Sequence, residues 1–309
     1  MPVSLVHESL MYSAYFAPRG VKRLLNLGHN IAQRYLTPLD KLIGVIGEAG
    51  SGKSMLIKGM FPGLELTNDD DGINVRPLPL LENLDEDYKF GSHTYHLDIR
   101  FEMAFTQVFE LAEAIRKALE NGKRVIVEHF ELIYPYLGIN AEMLIGIGEE
   151  IIIARPTIFG PLPDDIGSIV HKSIKYRKMA HSAEEITCNM LKESYNLSPH
   201  SNIHGDVKHG FVLGFDHEPN INIGELEQKI HELYINKAVD ISYVDDQHIA
   251  LGDEVIFCTG PRIHVQNTKD IKNFHLIKEF RYEPLEKTYN LIGLVGCADP
   301  IDINDINKL

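Results

Sequence analysis

The first half of the chain alternates short apolar runs with longer segments in which apolar residues recur at helical spacing. The apolar runs predict strands at residues 42–46, 94–99, 124–129 and 150–154. Helical spacing predicts helices at residues 19–35 and 102–121, and Gly122 ends the second of them. This second helix is predicted to bury Phe105 and Phe109. Strands that alternate with helices indicate an open, mainly parallel α/β sheet.

The pattern becomes less regular beyond residue 160. Residues 160–165 combine glycine, two prolines and two aspartates, which is typical of a linker. This linker predicts two domains, residues 1–162 and residues 163–309. In the second domain, apolar spacing predicts a helix around residues 181–191 and another at 223–237, with strands at 211–217 and 254–258. The second domain is therefore expected to be α+β.

A glycine-rich motif lies between the first predicted strand and a helix. Residues 47–54 fit the pattern G-x-x-x-x-G-K-[ST] of phosphate-binding loops. Glycines let successive backbone N–H groups converge on phosphate oxygens, and the following helix points its positive end at the same anion. The motif predicts binding of ATP or GTP with Mg²⁺, with Lys53 on the terminal phosphates and Ser54 on the metal. The predicted nucleotide-binding residues are Gly47, Gly50, Ser51, Gly52, Lys53 and Ser54.

Acidic residues near this motif are candidates for phosphoryl-transfer chemistry. Residues 64–67 predict a second strand that leads into an acidic turn, where Asp69 or Asp70 could take the proton of an attacking hydroxyl. A solvated turn is an equally good interpretation of these aspartates. Glu128 ends an apolar strand and is the first choice for holding Mg²⁺, with Asp98 as the second choice.

The first domain resembles the P-loop kinases and NTPases in general through residues 47–54. A looser resemblance to uridine-kinase-like proteins covers the helix before Gly122 and the strand that ends at Glu128. The resemblance implies nucleotide binding and, in a kinase, transfer of a phosphoryl group.

Potential metal ligands recur in the second domain. His181, Glu185 and Cys188 fall at i, i+4 and i+7 of a predicted helix, so they project from one face. Farther along, Cys258 and His264 supply a thiol and an imidazole on a predicted turn. Together these residues offer the nitrogen, oxygen and sulfur ligands of a zinc site with an open position.

Residues 181–277 resemble the second additional domain of alanyl- and threonyl-tRNA synthetases, which also occurs as the free-standing AlaX editing proteins. The matching blocks are His181-x-x-x-Glu185, Phe215-Asp216-His217 and Cys258 through His264 to Ile271. The family has histidine where this chain has Glu185, and its interval from Cys258 to His264 is two residues shorter. The resemblance implies a zinc-assisted hydrolase that removes a wrong amino acid from tRNA, with metal ligands at His181, Cys258 and His264. It also implies that Ser182 contacts the aminoacyl group.

Charge and composition limit the partners. The formal net charge of -14 opposes non-specific nucleic-acid binding, so contact with tRNA or aminoacyl-tRNA requires local basic clusters. Such clusters are residues 171–178, and Lys269, Lys272, Lys278 and Arg281, although solvated surfaces would look the same. Three cysteines cannot all pair, and no apolar run has the length of a membrane span. We therefore expect a soluble, cytoplasmic protein with reduced thiols.

Three functional hypotheses follow. The first is an ATP-dependent or ATP-regulated enzyme of aminoacyl-tRNA metabolism whose second domain hydrolyses or recognises an aminoacyl ester. The second is a small-molecule kinase whose second domain recognises substrate. The third is a non-catalytic sensor, in which the bound nucleotide controls how the second domain binds aminoacyl-tRNA or an amino acid.

Overall fold

The computed structural model of the protein describes residues 12–66, 92–199, 204–296 and 306–307. The chain divides into two units, the first comprising Met1–Ala17 and Lys22–Lys172, and the second comprising Pro18–Val21 and Ser173–Leu309. The division between residues 172 and 173 lies inside the long helix Pro163–Tyr195. The composition of residues 160–165 placed it ten residues earlier, before that helix begins.

Strands of the first unit form one six-stranded sheet. They are β1 (Tyr12–Phe16), β2 (Leu42–Gly47), β3 (Thr94–Asp98), β4 (Arg124–Glu128), β5 (Met143–Ile147) and β6 (Glu150–Ala154). Their order across the sheet is β1-β6-β5-β2-β4-β3. Strands β5, β2, β4 and β3 are parallel, whereas β6 pairs antiparallel with β5 and with β1. The unit is therefore an α/β fold with a mixed sheet that contains parallel strands.

Helices alternate with these strands along the chain, and the last of them extends into the second unit. They are α1 (Val21–Tyr35), α2 (Lys53–Met60), α3 (Ile99–Glu102), α4 (Val108–Glu120), α5 (Phe130–Leu137) and α6 (Pro163–Tyr195). The strand predicted at residues 64–67 is wrong for its described part. A turn closed by the hydrogen bond from Leu64 N to Phe61 O precedes it, and Leu64 and Leu66 pack against the core without pairing to a strand.

The helix predicted at residues 102–121 is in fact two helices. The Asp98 side chain caps α3, and α4 begins only at Val108, after Gln107 N donates to Glu110 Oε2 at 3.3 Å. Phe105 therefore lies outside α4, and Phe109 lies on its outer face. These two side chains are 64% and 57% exposed, so the prediction that they are buried is wrong. The buried face of α4 consists of Leu111, Ala112, Ala114, Ile115 and Ala118.

The second unit is α+β. Its strands are β7 (His204–Val207), β8 (Gly210–Phe215), β9 (Ile241–Asp245), β10 (His248–Leu251), β11 (Glu254–Phe257), β12 (His275–Leu276), β13 (Arg281–Glu283) and β14 (Thr288–Leu294). One antiparallel sheet has the order β12-β14-β8-β7, with β13 also paired to β14, and a second has the order β11-β10-β9. Helix α7 (Ile223–Ile230) continues as one π-helical turn, His231–Ile235.

The core of the second unit is formed between α6 and the larger sheet. Ala180, Ala183, Ile186 and Leu191 from α6 pack with Phe211 and other apolar residues of β8, α7 and β14. The buried stripe on α6 fixes which residues of that helix face inward. It therefore sets the direction of the side chains between residues 177 and 187.

A buried ion pair joins several strand ends in the first unit. Asp40 precedes β2 and Arg155 follows β6, and Arg155 Nη2 donates to Asp40 Oδ2 at 3.0 Å. Arg155 also donates to the carbonyl oxygens of Glu142, which precedes β5, and of Tyr35, which ends α1. Arg124, the first residue of β4, donates through Nε to Asp40 O at 2.7 Å. The pair thus positions the beginnings of β2, β4 and β5.

We predict that Asp40→Ala destabilises the protein by about 3–5 kcal/mol, because it leaves the buried guanidinium of Arg155 without its counter-charge. The free energy of unfolding in urea measures this loss. Glu120→Ala removes an exposed carboxylate from the same unit and serves as the control. An Asp40→Ala protein as stable as the control would show that the pair does not hold the sheet.

Candidate functional site

The glycine-rich loop (residues 47–54) joins β2 directly to α2. Gly50 and Gly52 have φ angles of 76° and 96°, which favour glycine. A Cβ on Gly52 would lie 2.6 Å from Leu24 Cδ1, and one on Gly47 would lie 2.9 Å from Ile147 O. The glycines of the pattern are therefore required by the local backbone and by close packing.

Two side chains of this loop meet a carboxylate from the neighbouring strand. Lys53 is buried, and its Nζ donates to Gly47 O at 3.2 Å and Glu48 O at 3.0 Å. The same Nζ lies 3.7 Å from Glu128 Oε2. Ser54 Oγ donates to Glu128 Oε1 at 3.1 Å. The structure thus brings Glu128 to Lys53 and Ser54, although 74 residues separate it from Ser54.

The surroundings of Glu128 favour its ionised form. Burial raises the pKa of this carboxyl, but hydrogen bonds from His96 and Ser54 and the charges of His96 and Lys53 outweigh it. The net result is a pKa below the usual value. His96 Nε2 lies 3.2 Å from Glu128 Oε1 and belongs to β3, so it is a site residue that the sequence analysis missed.

Asp98 ends β3, the strand next to that of Glu128, and Glu102 ends the short helix α3 that follows it. Asp98 pairs with Glu128 in the register of β3 and β4, but its carboxylate caps α3 by accepting from Phe101 N at 3.2 Å. Glu128 is therefore the carboxylate that faces Lys53 and Ser54. Glu102 was not predicted, and burial together with the charge of Asp98 raises its pKa to about 7. Asp69 and Asp70 lie outside the described residues, so their role as proton acceptors stays a prediction.

Three predicted ligands converge in the second unit and form the His/Cys/His cluster (His181, Cys258 and His264). Their ligand atoms all lie within 4.8 Å of one another. Cys258 Sγ is 3.3 Å from both His181 Nε2 and His264 Nε2, and the two imidazole rings stack at 4.3 Å. Helix α6 supplies His181, and the turn after β11 supplies the other two residues.

Outer contacts orient both imidazole rings of the cluster. His181 Nδ1 lies 3.4 Å from Glu184 Oε2, and the same oxygen accepts from Arg19 Nε at 2.8 Å. His264 Nδ1 lies 3.1 Å from Ser182 Oγ, which also accepts from Val265 N and donates to Lys178 O. Both Nε2 atoms are thereby directed towards Cys258. Such contacts to the second nitrogen are the usual support of metal-binding histidines.

These contacts bear on the predicted role of Ser182. Its side chain is buried and its hydroxyl is engaged with His264, Val265 and Lys178. This geometry gives Ser182 a role in orienting His264. Contact with an aminoacyl group stays a prediction.

The cluster could hold a metal ion, and two nitrogens with one sulfur are donors that zinc accepts. Tetrahedral zinc, with Zn–N of about 2.0–2.1 Å and Zn–S of about 2.3 Å, sets nitrogen-to-sulfur separations of about 3.6 Å. Both observed separations are 3.3 Å. Burial lowers the pKa of His264 well below its usual value, and the charge of His181 lowers it further. A neutral imidazole is the form that binds metal.

The thiol of Cys258 is neutral in these surroundings, since burial and then the charge of Glu185 raise its pKa. A coordinated cation reverses this preference, because a coordinating thiol gives up its proton. Glu185 was predicted as the fourth ligand. It interacts with the thiol but is not one of the three residues whose ligand atoms converge. Cys188 packs against the core of the second unit and does not join the cluster.

The basic run at residues 171–178 is only partly available to a ligand. Arg177 is 1% exposed, and its Nη2 donates to Pro18 O at 2.6 Å, so its prediction as a phosphate contact is wrong. The helical periodicity of α6 turns it into the core, whereas Lys175 is exposed. Lys278 and Arg281 pair with Glu227 and Glu279, while Lys269 and Lys272 are exposed.

Comparison with known proteins does not place the chain in a family. Models of protein families do not match the chain, and a search of curated proteins finds no match either. The fold and the two groups of residues define only a class: an α/β unit with a glycine-rich loop, followed by an α+β unit with a buried His/Cys/His cluster. Within the described ranges, no helix combines the length and apolar character needed to cross a membrane.

We predict that the protein, purified without chelator, carries one divalent metal ion per chain, and that Cys258→Ser loses it because the thiolate is its anionic ligand. Elemental analysis measures the metal. Cys188→Ala removes the other described thiol and should leave the metal content unchanged. Equal metal content in Cys258→Ser and the wild type would rule out the His/Cys/His cluster as the site.

Proposed function

We propose that the second unit hydrolyses the ester bond of an aminoacyl-tRNA with the help of a bound zinc ion. The observation that carries the proposal is the convergence of His181, Cys258 and His264 on one point. Three protein ligands are typical of catalytic zinc sites, which keep a fourth position for water or substrate. The resemblance of residues 181–277 to tRNA-editing domains supports the ester of an aminoacyl-tRNA as the substrate.

The residues of this chain would position the reaction as follows. A zinc ion, when bound, polarises the ester carbonyl and activates water. Glu184 and Ser182 hold the two imidazole rings, and Arg19 fixes Glu184. Glu185 interacts with the thiol of Cys258 but is not one of the three convergent ligands, which leaves the fourth position to water or the ester.

Exposed lysines are the candidates for contact with the RNA. Lys269 and Lys272 follow the turn that carries His264, and Lys175 lies on α6, which carries His181. Phosphate contacts of this kind release counterions, so RNA binding should weaken steeply as salt rises.

We predict that the full-length protein deacylates at least one member of a panel of mischarged tRNAs and that Cys258→Ser lowers the rate by about 100-fold or more. Release of radiolabelled amino acid measures the rate, with Cys188→Ala as the control. A wild-type protein that carries metal but deacylates no tRNA would overturn the hydrolase proposal.

We predict that Lys269→Ala/Lys272→Ala lowers the slope of log affinity against log salt by about two, because each phosphate contact contributes about one. A filter-binding salt series measures the slope. Lys237→Ala changes an exposed lysine elsewhere in the unit and is the matched control. Equal slopes for all three proteins would exclude these lysines from the RNA contact.

Nucleotide binding with phosphoryl transfer to a small molecule is a second candidate function, assigned to the first unit. The observation that favours it is the meeting of Lys53, Ser54 and Glu128 at the end of β2. The chain leaves β2 for β3 and β4 on one side and then crosses to β5 on the other. The crevice at such a point of strand reversal is where open α/β sheets bind ligands. Bound Mg²⁺ would neutralise charge on the phosphates, with Ser54 and Glu128 placed to hold it.

We predict that Lys53→Ala weakens binding of ATP or GTP with Mg²⁺ by roughly 10- to 100-fold, since it removes a charge-assisted hydrogen bond to phosphate. Isothermal titration calorimetry gives the affinity. Lys58→Ala, on the same helix, is the control. Unchanged affinity in Lys53→Ala would show that the loop does not bind the nucleotide.

A further inference from the structure

Glu102 is a buried carboxyl group without a stabilising partner in the described part of the chain. Its side chain is 5% exposed, and no hydrogen bond or ion pair joins that side chain to another described residue. The charge that acts on it is that of Asp98, which repels it. Burying an ionisable group without a partner is unfavourable, so a purely structural role does not account for a glutamate here.

The neighbouring carboxylates show what a structural role would look like. Asp98 caps α3, and Glu110 accepts from Gln107 N at the start of α4. Glu128 is satisfied by Ser54, His96 and Lys53. The Glu102 side chain makes no cap, hydrogen bond or ion pair of this kind with the described residues, although it lies within the same short stretch of chain as Asp98 and Glu110.

The location of Glu102 relates it to the glycine-rich loop. Lys53 meets Glu128 at the end of β4, and Glu128 is in register with Asp98 at the end of β3. Glu102 ends α3, the short helix that continues directly from β3. It therefore lies at the carboxyl edge of the parallel strands, on the side of β2 where β4 and β3 lie. A second substrate beside the terminal phosphate of a nucleotide on the loop would lie at this edge.

We propose that Glu102 is the catalytic residue that takes the proton from the hydroxyl group attacking the terminal phosphate of the bound nucleotide. The proposal rests on the phosphoryl-transfer function proposed above. The O–H bond of the acceptor breaks and its proton passes to the carboxylate. A bond forms from the acceptor oxygen to the terminal phosphorus, and the bond from phosphorus to the bridging oxygen breaks. The electron pair of that bond leaves with the nucleoside diphosphate.

The same surroundings specify the class of acceptor. Asp98 and Glu102 place two carboxyl groups on the β3 side of this edge, beyond Glu128 and its partner Lys53, which disfavours an acceptor that is itself a phosphate or carboxylate. An uncharged alcohol, such as a sugar or a nucleoside, fits this charge. Glu128 is engaged by Lys53 and Ser54, which leaves Glu102 to accept the proton.

The test compares Glu102→Gln with wild type, using full-length protein, labelled ATP with Mg²⁺, and glycerol, ribose or uridine as acceptor. We expect Glu102→Gln to lower the transfer rate by about 100-fold or more. Its affinity for ATP should stay within about twofold of wild type, because the amide keeps the shape and does not touch the nucleotide site. Its melting temperature at pH 8 should be no lower than that of wild type, because an unpaired buried charge is removed.

Further variants distinguish a failure of the role of Glu102 from a failure of phosphoryl transfer itself. Glu102→Asp keeps the carboxylate and should retain more activity than Glu102→Gln, and Glu120→Gln on an exposed residue should match wild type. Full transfer by Glu102→Gln, with loss in Asp69→Asn or Asp70→Asn, would overturn the inference and leave phosphoryl transfer standing. A wild-type protein that binds ATP but transfers phosphate to none of the acceptors would overturn phosphoryl transfer and this role of Glu102 together.

Discussion

The ion pair between Arg155 and Asp40 is the interaction on which the first unit depends. Either charge would be unfavourable in the core without the other. Arg155 also donates to carbonyl oxygens just before β5 and at the end of α1, and Asp40 accepts from Thr37 N. With the beginnings of β2, β4 and β5 fixed, the ends of these parallel strands are fixed as well. Lys53, Ser54 and Glu128 meet at the other edge of the sheet because of that alignment.

In the second unit, apolar packing positions the side chains of the candidate site in a comparable way. The stripe of Ala180, Ala183 and Ile186 buries one face of α6, and this burial turns His181 inward. Cys258 is fully buried in the turn after β11, and its thiol lies 3.3 Å from His181 Nε2 of that helix. The metal-ligand geometry is therefore a consequence of core packing, refined by the hydrogen bonds of Glu184 and Ser182.

The sequence alone predicted those features that depend on residues close to one another in the chain. The glycines of residues 47–54 are explained by backbone angles and close contacts within a few residues, and Glu128 followed from its position at a strand end. Residue types and spacing gave His181, Cys258 and His264 as candidate ligands together with Glu185 and Cys188, and the family resemblance selected these three. Asp40, Arg155 and β1 were missed because their partners lie more than a hundred residues away. The prediction that Arg177 contacts phosphate was wrong because a basic run does not reveal which of its residues the helix turns into the core.

Glu128 and Glu102 are similar residues whose roles can be distinguished only from the structure. Both are buried glutamates at one edge of one sheet, yet their environments act in opposite directions on the pKa. Glu128 has a cation and two hydrogen-bond donors, so it remains a carboxylate suited to hold a metal ion. For Glu102, burial and then the repulsion of Asp98 raise the pKa to about 7, where a carboxyl can both take up and release a proton near neutral pH. When two carboxyl groups are held apart in this way, their roles differ, and the one with the raised pKa is the one fitted for proton transfer.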